Sequence, residues 1–114
     1  VGNRPGQEYP AFPASCPGVI AVGGLDQNGS SFPDDHLASF AKVIAPAENI
    51  FTTLPGNKYN FMTGTSFSSA IVTGILALGI ENNPGLGINN LPEKNKDFCA
   101  WVEALLHIQA ICRP

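Results

Sequence analysis

Gly64-Thr65-Ser66-Phe67-Ser68-Ser69-Ala70, running on into Ile71-Val72-Thr73-Gly74-Ile75-Leu76-Ala77-Leu78-Gly79-Ile80, divides the chain into two unlike parts. Residues 66–80 are apolar nearly all round and interleaved only with Ser, Thr and Gly, which predicts a helix buried in a core rather than lying amphipathic on a surface. Gly74 costs roughly 1 kcal/mol against alanine inside a helix, so a closely packed neighbour is expected there. Ser66 opens this helix and has two readings. It is an N-cap, the commonest use of serine at that place. Alternatively its hydroxyl sits beside unpaired backbone N–H groups and the positive end of the helix dipole, where developing negative charge is favoured.

Upstream, residues 1–17 carry Gly2, Pro5, Gly6, Pro10, Pro13 and Pro17, too many breakers for regular structure, and read as loop. Residues 18–24, with Val19-Ile20-Ala21-Val22 between glycines, form a short continuous apolar run. That predicts a strand covered on both faces in a parallel sheet, with helices on either side. Residues 26–31 read as a turn and Pro33-Asp34-Asp35-His36 as a second polar loop. Paired Asp34 and Asp35 beside Pro33 fit turn chemistry better than an acid–base or calcium role, and His36 in that loop reads as an inert surface histidine. Lys42-Val43-Ile44-Ala45 predicts another short buried strand, stopped by Pro46. Residues 50–54 and 59–62 flank Pro55-Gly56-Asn57-Lys58 and predict a β-hairpin that delivers the chain to Gly64.

Downstream, Asn82-Asn83-Pro84-Gly85 ends the apolar helix, and residues 85–96 read as a polar linker. Residues 97–111 return to helical spacing, with Phe98, Trp101, Val102, Leu105, Ile108 and Cys112 in one stripe and His107 off it, exposed. Cys16, Cys99 and Cys112 show neither CxxC nor Cys/His spacing, so no zinc site is indicated. On one continuous helix Cys99 and Cys112 would stand about 20 Å apart, too far for a bridge, and free buried thiols are expected.

With 114 residues, 44% hydrophobic and 13% charged, the chain has globular composition and the length of one domain. A net charge of −3 with scattered Lys and Arg gives no footprint for nucleic acid or for an anionic membrane surface. The longest apolar run falls short of the ~20 residues that span a bilayer. Val1-Gly2-Asn3 has no charged n-region, apolar h-region or initiator methionine, so the chain reads as starting within a longer protein.

Taken in order, Val1-Gly2-Asn3, Phe12-Pro13-Ala14, Val19-Ile20-Ala21-Val22-Gly23, Ser31-Phe32, Ala45-Pro46, Thr53-Leu54-Pro55-Gly56-Asn57-Lys58-Tyr59 and Gly64-Thr65-Ser66 resemble the subtilisin-like serine proteases, in the C-terminal part of the catalytic domain. The motif match runs over residues 1–84, leaving 85–114 as a divergent linker and helix. The resemblance implies a three-layer α/β/α fold around a mostly parallel sheet, present here in part. It implies a serine endopeptidase in which Ser66 is the nucleophile and Asn3, with the Ser66 backbone N–H, binds the oxyanion. A hydroxyl can form an acyl intermediate, and a neutral amide can donate to a developing negative charge without neutralising the base. Gly2, Arg4, Ala14 and Thr65 are the matching substrate-binding positions. Arg4, beside the implied specificity pocket, would favour an acidic or polar residue before the scissile bond. The bond matching Phe12–Pro13 is often cis in this family, and carbonyls of that loop can hold a cation, which makes calcium the one cofactor to expect.

The same resemblance exposes departures. The triad Asp and His of this family precede the Asn3 segment, and the chain holds neither, so the 114 residues alone should turn over peptides poorly. A peptide or protein substrate and the remainder of the catalytic domain are therefore the implied partners, in a secreted or extracytoplasmic setting. Ala70 and Ile71 stand where Pro and His are common, and Ala47 where Gly is usual, which would strain the backbone at a positive φ. Two rivals remain. One is a non-catalytic remnant, a pseudoprotease binding peptides or a partner chain. The other is a phosphate-binding domain, which lacks the P-loop lysine it would need.

Overall fold

The computed structural model describes residues 1–108. Its α/β core is built on β1 (Val22–Leu25), which pairs antiparallel with β2 (Ser31–Phe32) and parallel with β3 (Val43–Pro46), in the order β2-β1-β3. Parallel strands need a crossover, and α1 (Asp35–Ser39) lies on it. The residues alternate between two cores. Ala21, Leu25 and Ile44 pack with Leu37, Ala38 and Ala41, on and just after α1. Val22, Val43 and Ala45 pack with Val72 of α2 (Thr65–Asn82) and with Trp101, Val102 and Leu105 of α3 (Phe98–Leu106).

β1 starts three residues later than its apolar run predicts, and takes in Gly23 and Gly24 rather than stopping at them. A Cβ on Gly23 would lie 2.7 Å from Ile44 Cγ2, and one on Gly24 2.6 Å from Ala47 Cβ. These glycines mark close approach of neighbours, a role a strand glycine can have, and Val19 is left exposed in the preceding loop. Pro46 closes β3 from within. The polar loop expected at 33–36 is instead a helix start. Asp34 caps α1 by accepting the Leu37 N–H at 2.8 Å, and Leu37 is fully buried.

The hairpin forms as expected from β4 (Ile50–Leu54) and β5 (Lys58–Met62), with Gly56 and Asn57 at positive φ in its turn. It pairs with neither β1 nor β3, and Phe51, Tyr59 and Phe61 stay exposed on one face.

α2 covers the predicted span but not the predicted burial. Thr65, Ser68, Val72 and Gly79 are buried, whereas Leu78 and Ile80 are 51% and 49% exposed. The sheet and α3 supply partners on one side only. Gly74 has open space where a Cβ would stand, and the close approach falls at Gly79, whose Cβ would lie 2.8 Å from Leu86 Cδ2. Among the described residues no helix is long and apolar enough to cross a membrane.

The linker is fastened. Lys94 Nζ donates to the carbonyls of Ala38 and Ser39 at 3.1 and 3.2 Å, and Lys96 pairs with Asp35 at 3.3 Å. α3 begins after Asp97, which caps it by accepting the Ala100 N–H, close to the expected start, but ends at Leu106 with His107 in the left-handed conformation at φ 52°, short of the expected 111. Cys99 is disulfide-bonded and Cys16 is free, so the free thiol expected at Cys99 is corrected. That expectation assumed one unbroken helix over 97–111. Ile111 and Cys112 lie outside the described residues.

Candidate active site

The N-terminus of α2 is capped from a distance. Gly64 occupies the N-cap position and has no side chain to offer. The Thr65 N–H instead donates to Asn3 Oδ1 at 2.7 Å, and Thr65 Oγ1 lies 3.0 Å from the same oxygen. The Gly2 N–H donates to Thr65 Oγ1 at 3.3 Å, closing the latch between the loop and the helix. Because a backbone N–H can only donate, Asn3 must present its oxygen to Thr65, which fixes the amide and turns Nδ2 away. A Cβ on Gly64 would stand 3.2 Å from that Nδ2, so glycine is what lets Asn3 approach.

Ser66 is the second residue of α2, not its cap. Its N–H is one of the helix-terminal groups without an intrahelical partner. Its side chain is exposed, and among the described residues none hydrogen-bonds to its hydroxyl or to Asn3 Nδ2. Both residues line one open pocket of about 450 Å³, together with Gly2, Ala14 and Thr65 and with Phe12 and Pro13. The Phe12–Pro13 bond is cis, as is Phe32–Pro33. No charged side chain lines the pocket, and its polar lining is Asn3 with the hydroxyl residues Thr65, Ser66 and Ser69 at the positive end of α2. Such a wall suits an oxygen that gains negative charge.

Of the residues singled out by sequence, Gly2, Asn3, Ala14, Thr65 and Ser66 converge on this pocket, and Arg4 stays exposed outside its wall. Thr65 is buried, with its hydroxyl engaged by Gly2 and Asn3. The residue that sequence reasoning passed over is Ser68. Fully buried, its Oγ lies 3.0 Å from Ala45 O and 2.9 Å from Pro46 O, anchoring the first turn of α2 to the end of β3. Its signal was a hydroxyl on the inner side of an otherwise apolar helix. Ala47 has no positive φ, so the strain expected there is absent. Its carbonyl accepts the Gly64 N–H at 2.8 Å.

The histidines are placed elsewhere. His36 Nε2 lies 2.8 Å from Glu8 O, and His107 closes the end of α3. Backbone N–H groups of Leu37 and Gly6 hold the Asp34 carboxyl below the usual carboxylate range, and the Ser31 hydroxyl followed by Lys96 does the same for Asp35. Among the described residues no three His, Cys, Asp or Glu side chains converge.

The model of the Subtilase family matches residues 1–107. The chain belongs to this family of subtilisin-like serine proteases. The match continues past Pro84 and through α3. The chain is similar to subtilisin DY of Bacillus licheniformis, 31% identical over 79% of this chain and 33% of that protein. It is similar to the thermophilic serine proteinase of Bacillus sp. (strain AK1), 44% identical over 58% of this chain and 16% of that protein. Subtilisin-like protease 3 of Plasmodium falciparum (isolate 3D7) is 36% identical over 85% of this chain and 13% of its own length. The aligned part of the chain thus spans between 13% and 33% of these three relatives.

Proposed function

We propose that the chain is the nucleophile-bearing part of a serine endopeptidase. Ser66 Oγ attacks the scissile carbonyl, its proton passes to a base, and the amine leaves as an acyl-enzyme forms, which water then hydrolyses. Asn3 Nδ2 and the Ser66 N–H donate to the oxyanion of each tetrahedral intermediate. The observation that carries this reading is the double engagement of Asn3 Oδ1 by Thr65, because it holds the opposite end of the amide ready as a donor without a competing partner. Thr65 is then a positioning residue, and Gly2 and Ala14 are wall positions for substrate.

The triad Asp and His, and the rest of a three-layer α/β/α domain around a mostly parallel sheet, are proposed to come from other parts of the parent protein. The half-exposed Leu78 and Ile80 on α2 are where those parts would pack. One observation favours the rival reading of a non-catalytic, peptide-binding remnant, namely that both histidines of the described residues lie away from Ser66. Treatment of the full-length parent with a fluorophosphonate separates the two. An adduct on Ser66 that is lost in Ser66→Ala is expected, and an unlabelled Ser66 in folded parent would refute the catalytic reading. Arg4 keeps its proposed bearing on selectivity as an exposed neighbour of Asn3. Arg4→Glu should lower cleavage after acidic and polar residues in a peptide-library profile, and an unmoved profile removes it from the site.

A further inference from the structure

Residues 4–9 form the outer bend of the loop that walls the pocket, at Gly2 and Asn3 on one side and from Ala11 to Ala14 on the other. The base of the bend is closed by the Ala11 N–H, which donates to Val1 O at 3.1 Å, and inside it Gln7 Nε2 donates to Tyr9 O at 2.6 Å. Pro5 and Gly6 are exposed, Gly6 has φ 76°, and the backbone contact Gln7 N–H to Arg4 O is long at 3.4 Å. Its outer residues are fastened to the rest of the fold by α1 and the residues at its ends. Asp34 uses both oxygens, Oδ1 for the Leu37 N–H at 2.8 Å as helix cap and Oδ2 for the Gly6 N–H at 2.9 Å. His36 Nε2 lies 2.8 Å from Glu8 O. A carbonyl only accepts, so Nε2 carries the proton, and it does so in the neutral ring and in the imidazolium alike. Phe40 completes the contact, its ring 6.4 Å from Tyr9 and 5.2 Å from His36. Gly6, Glu8 and Tyr9 thus each have a partner in the segment 34–40.

We propose that Asp34 and His36 are positioning residues. From outside the pocket they set the course of residues 4–9 beyond the Val1–Ala11 tie at the base of the loop, and thereby select the side chain that the site accepts before the scissile bond. This rests on the protease reading. A bend held at two outer points keeps one course, whereas a Pro-Gly bend without those bonds samples many.

The test uses the full-length parent. Asp34→Asn keeps the cap, since Asn caps helices as well as Asp, but the amide nitrogen that replaces Oδ2 cannot accept the Gly6 N–H. His36→Leu removes the donor to Glu8, and His36→Gln restores one. Two readouts are combined: hydrogen exchange over residues 4–12, and KM and kcat for peptides differing only in the residue before the scissile bond. Asp34→Asn and His36→Leu should speed exchange in that segment about tenfold. They should raise KM about fivefold for the preferred peptides with kcat within about twofold, so that the ranking changes, while His36→Gln stays close to wild type. Unchanged exchange overturns the proposal, as does faster exchange with an unmoved ranking, or a fall in kcat that tracks a lowered melting temperature. A parent with neither turnover nor labelling refutes the protease reading instead. The exchange rates and the binding of the same peptides, read by fluorescence anisotropy, then decide the clamp.

Discussion

The two ends of α2 differ in residue type and are held in opposite ways, hydroxyl-rich at the start and largely apolar toward the end. At its start, Thr65 and Ser68 are buried with every hydroxyl engaged, to Gly2 and Asn3 on one side and to Ala45 and Pro46 on the other. Towards its end, Leu78 and Ile80 are half exposed and Gly74 faces open space. Hydrogen bonds have defined partners, and the chain supplies those of Thr65 and Ser68 while the Ser66 N–H has none within the helix. Apolar surface asks only for coverage, and here coverage is incomplete. The completed end is the one that carries the candidate chemistry.

Substitutions in the parent protein test this contrast. The largest effect is expected for Asn3→Ala, with kcat falling by about the 10²–10³-fold that one oxyanion donor carries in subtilisin itself, at little change in KM. Steady-state kinetics check it, and a loss confined to KM would count against the oxyanion role. Leu78→Ala should destabilise the parent by about 2–3 kcal/mol, the cost of a covered leucine, against a few tenths for one left in water. Denaturant unfolding decides whether the open end of α2 is closed in the whole protein.

Ser68→Ala should cost about 1–2 kcal/mol by the same measurement, because the Ala45 and Pro46 carbonyls lose a buried donor. The smallest effect concerns pH. Asp34 has a folded pKa below its unfolded value of about 3.9. Its contribution is therefore present above that value and fades as pH falls through the folded pKa. Asp34→Asn should lower stability slightly at neutral pH, where the wild-type contribution is fully present, and flatten the acid limb below about pH 4, so that the two proteins converge as pH falls.

Much of the fold was legible because it depends on local signals. The Pro-Gly-Asn turn and the apolar run after Gly64 each name their element without reference to neighbours. The helix at α1 was not, because two aspartates after a proline read as turn chemistry until buried Leu37 is seen beneath them. The offset of β1 was hidden for a similar reason. Gly23 and Gly24 look like boundaries in sequence, and only Ile44 and Ala47 packed against them show why a side chain is excluded. The early stop of α3 at His107 ran against a stripe that continued on paper to Cys112.

For the site the division is sharper. Sequence by itself determined which groups exist, a hydroxyl at the mouth of a helix and an asparagine in a Gly-rich loop, and the ordered motifs that tie them to one family. It also set the span of the helix that carries Ser66, since an apolar run with a glycine before it marks that element locally. Only the tertiary structure decided that Ser66 is not the cap. That outcome depends on Asn3, some sixty residues away in the chain, taking the Thr65 N–H as its own partner. A hydrogen bond of such separation leaves no periodic trace in the sequence, and it is this bond that frees the serine hydroxyl and orients the amide beside it.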